Sequence, residues 1–146
     1  MTALAHNRRL AVVMLDGCGA VSDSSVAALA RLCPLAELSL GVGGGPGMPH
    51  LSAFGMRALS EDAGGTTLTK LSLQGWATDA ALLALCERCT RLERLDVRGS
   101  AKLTDSGLLA AAQPGALSAL QSLSIDEGNS LLSKEAVRQV RAAFGP

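Results

Sequence analysis

The chain has 146 residues, with Lys+Arg and Asp+Glu each at 13, and its 48% apolar content includes only two Phe, one Trp and no Tyr. That length supports one domain burying roughly two-thirds of its unfolded surface, and the charge balance leaves no net field to draw the chain to nucleic acid or an anionic membrane. The shortage of aromatics removes the usual stacking platforms for single-stranded nucleic acid and requires a core of Leu, Ala and Val, which suits thin, regular layers.

Residues 1–9 read as a short leader. Arg8 and Arg9 precede the first acid, Asp16, which leaves a mitochondrial presequence open as an alternative. The apolar run Leu10 to Leu15 stops at Asp16 and is too short for the apolar region of a secretory signal. The uncharged stretches 38–56 and 106–125 contain Gly, Pro, His or Gln and do not read as membrane spans. Four Cys without a secretory signal favour reduced thiols. The expectation is a soluble intracellular protein, cytoplasmic first, with a ciliary or mitochondrial complex as alternatives.

From Leu10 onward one frame, L-x-x-L-x-L, recurs. It appears as "LAVVML", "LAELSL", "LTKLSL", "LERLDV" and "LQSLSI", starting at Leu10, Leu35, Leu68, Leu92 and Leu120. The starts are 25, 33, 24 and 28 residues apart, so 10–146 reads as one array of about five units. After the frame, three units carry Ser or Thr, then Asp, then apolar residues at helical spacing: "VSDSSVAALARL", "ATDAALLALCERC" and "LTDSGLLAAA". The fifth reads "LLSKEAVRQVRAAF", with Ser133 in place of Asp. Asp23, Asp79, Asp105 and Ser133 are therefore expected to cap helices, where a short acceptor meets the free N–H groups and the positive end of the dipole.

Each unit is then a short strand, a turn and a helix of two to three turns. A single unit cannot bury its apolar face, whereas stacked units share a core between a parallel sheet and a helical layer. The Leu positions of the frame point inward, and the residues between them point outward.

The segment Cys89-x-x-Leu92-x-x-Leu95-x-Val97, followed by Leu103-Thr104-Asp105-Ser106-Gly107-Leu108, resembles the cysteine-containing class of leucine-rich repeats. The resemblance covers about residues 10–143. It implies an α/β solenoid arc with its parallel sheet on the concave face and helices on the convex face, acting in protein–protein interaction. That class forms the substrate-binding arms of F-box ubiquitin-ligase receptors and occurs in related adaptor and ciliary proteins. Because the first repeat is reached by Leu10, a ligase role would need the F-box on another chain. Departures from the pattern are the "GVGGGPGMPH" run at 41–50, a third unit two residues short with Trp76 where the first has Cys18, and Ser133 in the fifth.

Several motifs suggest chemistry. Cys86 and Cys89 form a C-x-x-C, but Cys18, Cys33, His6 and His50 supply no second pair at zinc spacing. A thioredoxin-like motif would open a helix, and this one closes one. Structural packing is the expected role, with a metal or redox site the lesser alternative. The 41–50 run has no G-K-[ST] and fails G-x-G-x-x-G at Pro46 and Met48, so it reads as an inserted loop, or as one that orders against a partner. No catalytic set is recognisable, and neither an enzyme nor a cofactor is expected. Trp76 is left between core packing and an exposed anchor for a partner.

Three outward columns follow from the frame: Val12, Glu37, Lys70, Arg94, Ser122; then Met14, Ser39, Ser72, Asp96, Ser124; then Asp16, Gly41, Gln74, Arg98, Asp126. Within them Glu37, Lys70, Ser72, Gln74, Arg94, Asp96, Arg98 and Asp126 form the candidate protein-binding face, a mixed-charge groove in which Arg could grip carboxylates. Only "MTALAHN" is available to cover the first unit, and the edge of the fifth strand stays open, so the ends are expected to stack on another chain. The reading from sequence is a non-catalytic scaffold or adaptor subunit of an intracellular assembly.

Overall fold

The computed structural model describes residues 9–41, 52–62, 66–126 and 128–144. Most of the leader, His6, His50 and the inserted run after Gly41 lie outside the described residues.

Strands and helices alternate along the chain. The order is β1 (Val12–Met14), α1 (Asp23–Leu32), β2 (Glu37–Ser39), α2 (Ala53–Glu61), β3 (Lys70–Ser72), α3 (Asp79–Arg88), β4 (Arg94–Asp96), α4 (Asp105–Ala111), β5 (Ser122–Ser124) and α5 (Lys134–Phe144). The strands form one parallel sheet in sequential order, β1-β2-β3-β4-β5. Successive helices pack against one another. Helices α1 to α4 lie in the crossovers that parallel neighbours require, and α5 follows the last strand.

Register follows the frame without a slip. Val13, Leu38, Leu71, Leu95 and Leu123 are partners across the sheet. The backbone ladder runs past the three-residue strands in the same way at each step. Leu15 N–H donates to the Ser39 carbonyl, Leu40 to Ser72, Leu73 to Asp96 and Val97 to Ser124, at 2.8–2.9 Å. Since side chains alternate along a strand, this register gathers the inward Leu residues on one face. Val13, Leu38, Leu71 and Leu95 share one core with Leu29, Leu59, Leu82 and Leu108 of the helices. Leu123 in the last strand and Ile125 just after it are only half-buried, since no further strand covers them among the described residues.

A glycine recurs where strand turns toward helix. Gly17, Gly75 and Gly99 all have positive φ, between 70° and 80°. A side chain there would be strained, and each glycine follows a residue of the third outward column (Asp16, Gln74, Arg98), so the same turn leads out of the strand in three units.

Trp76, next to Gly75, is 9% exposed and belongs to the core. The exposed-anchor alternative is therefore corrected: the turn folds the indole inward among Leu and Ala side chains, and no other described residue accepts from its Nε1–H.

Among the described residues no helix is long and apolar enough to cross a membrane.

Candidate binding face

The acids at the helix starts are a second correction. The N-caps are Ser22, Thr78 and Thr104, whose hydroxyls accept from the first-turn N–H groups of Ser25, Ala81 and Ser106. Asp23, Asp79 and Asp105 stand one place later and bond to the next unit instead. Asp23 accepts the Ser52 N–H (2.8 Å) and hydroxyl, and Asp79 accepts the Thr104 N–H (2.8 Å) and hydroxyl. Asp105 accepts the Ser133 N–H at 2.7 Å. The side-chain and backbone hydrogen bonds from Ser133 hold the Asp105 carboxyl below its ordinary range. Ser133 itself accepts from Ala136 N–H. Each acid thus clamps the N-cap of the following helix, and sequence spacing within one unit could not reveal it. Ala53 occupies the equivalent place in α2, so one rung is missing.

These clamps tie successive helices together, while strand pairing sets the spacing of the outward columns. The first column is Val12, Glu37, Lys70, Arg94 and Ser122, and the second is Met14, Ser39, Ser72, Asp96 and Ser124, in register across five strands. All of them except Val12, which stands at its β1 rim, line an open depression of about 600 Å³ over the sheet.

Most charge on this face is already matched. Lys70 Nζ donates to Glu37 Oε1 at 2.5 Å. Asp96 accepts from Arg98 Nη2 at 2.7 Å and from Gln74 Nε2 at 2.8 Å. Burial would raise the Asp96 pKa, but hydrogen bonds from the Arg98 side chain, Gln74 and the Arg98 N–H outweigh it and lower it overall. Asp16 accepts from Ser39 Oγ and Gly41 N–H, both at 2.6 Å. Asp126 is exposed and accepts from Gly128 N–H at 2.9 Å, in the turn after β5.

Arg94 differs from these. It is exposed on the face, and its side chain makes no hydrogen bond or ion pair with any described residue. Ser72 also departs from the expectation of a contact residue, because its Oγ is covered by neighbouring side chains and has no partner among the described residues. At the β1 edge Val12 and Met14 are apolar and exposed, at 49% and 72%. They belong to the outward columns but had no charge to single them out in the sequence.

The cysteines are not joined in disulfides. Burial pushes the Cys86 thiol up to about 11 and Cys89 up to about 12. Both stay protonated near neutral pH, whereas metal binding and nucleophilic attack use the thiolate. Among the described residues no group of three His, Cys, Asp or Glu side chains is placed to hold a metal ion.

Fold and face together define an α/β protein of repeated strand–helix units with an exposed parallel-sheet surface. Neither a known family model nor a curated protein matches the chain.

Proposed function

We propose that the chain is a non-catalytic protein-binding module of the leucine-rich-repeat type, an arc whose concave sheet face docks a partner within a larger assembly. The observation that carries this reading is the pair of outward columns held in register over five strands, which apart from Val12 line one broad depression. A surface of this kind spans many side chains without enclosing a small molecule, which suits an extended protein ligand. The charges Lys70, Arg94 and Arg98 lie beside Glu37, Asp96 and Asp126, so the face lacks the single-sign field that a phosphate backbone requires.

The test is affinity capture from native cells with the wild-type chain and an Arg94→Glu variant, read by mass spectrometry. Arg94 is the better site for reversal than Arg98, because Arg98 supports Asp96. A constant set of proteins held by wild type and lost from the variant supports the reading. Ubiquitin-ligase components with changing clients would point to the substrate-arm alternative. Proteins held equally by both chains would move the binding site off the sheet face.

A further inference from the structure

Resting on that reading of the sheet face, we infer that its occupant is an extended peptide segment carrying a carboxylate and, four residues away, a large apolar side chain. The carboxylate is gripped by Arg94 and the apolar side chain lies against Val12 and Met14.

Charge complementarity comes first. Glu37 neutralises Lys70, and Asp96 neutralises Arg98. Of the charged residues in the first two columns, Arg94 alone is left without a partner among the described residues. A guanidinium already exposed and unpaired offers two parallel N–H donors to a carboxylate, without first breaking an internal ion pair. A cationic segment would meet Arg94 repulsively and would have to compete with Lys70 for Glu37.

Spacing comes second. Val12 and Arg94 stand in the same column on β1 and β4, three strands apart. With neighbouring strands about 4.8 Å apart, the separation is about 14 Å. An extended chain advances roughly 3.3–3.6 Å per residue, so about four residues cover it. In an extended peptide, residues i and i+4 point to the same side, and both can therefore face the sheet at once. The residue midway between them lies over the Glu37–Lys70 pair and Ser39, where a polar or small side chain fits better than a large apolar one.

The test is selection from a displayed library of random peptides on the folded 146-residue chain, followed by binding measurements on selected peptides. The expected result is enrichment of Asp or Glu four positions from an aliphatic or aromatic residue. Arg94→Ala should then weaken binding by on the order of ten- to a hundred-fold, and Met14→Ser by several-fold. Both sites are exposed, so unchanged urea midpoints should accompany the losses. Ser122→Trp, which fills the depression beside Arg94, tests the face itself. Peptides blocked by Ser122→Trp but lacking the acid and indifferent to Arg94→Ala would overturn this inference and leave the face as the binding site. Failure to select any peptide that Ser122→Trp blocks would overturn both.

Discussion

Asp79 has a larger structural role than its position at a helix start suggests. Its carboxylate accepts two hydrogen bonds from Thr104 in the next unit, so one side chain joins two helices. The cysteines divide by location in the same fold: Cys18 is exposed on a turn, Cys86 half-buried, and Cys33 and Cys89 buried. A neutral thiol reagent should therefore modify Cys18 first, Cys86 slowly, and Cys33 and Cys89 only after unfolding. Mass spectrometry of the labelled chain over time checks that order. Ser72 gives a prediction of opposite sign to most core substitutions. Its covered hydroxyl has no partner, so Ser72→Ala should leave stability unchanged or raise it by up to about 1 kcal/mol, measured by urea unfolding.

Among the elements, the helices are held by rungs, and α2 lacks one. Ala53 sits where Asp23, Asp79 and Asp105 sit in their helices. Ala53→Asp would place a carboxylate at the positive end of α2 and within the pattern that reaches the next N-cap, Thr78. We expect a gain of about 0.5–1 kcal/mol in urea unfolding, lost again when Thr78 is changed to Ala. Gly107 in α4 shows how closely α3 and α4 approach. A Cβ built there would lie 2.7 Å from the Asp79 Cα, a backbone atom that cannot swing aside. Ala ordinarily stabilises a helix over Gly by about 1 kcal/mol. At Gly107 the crowding, typically about 1–3 kcal/mol, should outweigh that gain, and Gly107→Ala should lower the denaturation midpoint.

For the whole molecule, the core is one continuous layer between sheet and helices, from Val13 to Val140. Burial is deepest in its middle. Leu95 is 1% exposed, while Leu123, its partner on the edge strand β5, is only half-buried. Leu95→Ala should cost roughly 2–5 kcal/mol through the cavity it leaves. Leu123→Ala should cost less than about 2 kcal/mol, because water already reaches that side chain and part of its transfer energy was never gained. Chemical denaturation of the two variants side by side measures the gradient.

Much of this was legible in the amino-acid order. Period-two alternation within L-x-x-L-x-L determines which strand residues face inward, and its recurrence aligns them, so the columns Glu37–Lys70–Arg94 and Ser39–Ser72–Asp96 could be written from the sequence alone. The Ser/Thr-Asp pairs likewise mark where helices begin. What those acids bond to was decided only by tertiary structure, because Asp79 and Thr104 lie 25 residues apart and meet through the stacking of units. The same holds for charge on the sheet face. Lys70, Arg94 and Arg98 look alike in sequence, and only the folded side-chain geometry pairs Lys70 with Glu37 of the neighbouring strand and Arg98 with Asp96 of its own unit, leaving the Arg94 side chain open. Trp76 follows suit: its chemistry suited either a core or an exposed anchor, and the positive φ of Gly75 belongs to the turn that brings it inside. Periodicity is a local property that a chain carries in its order. Hydrogen-bond partners and unpaired charges depend on distances between units, which exist only once the chain has folded.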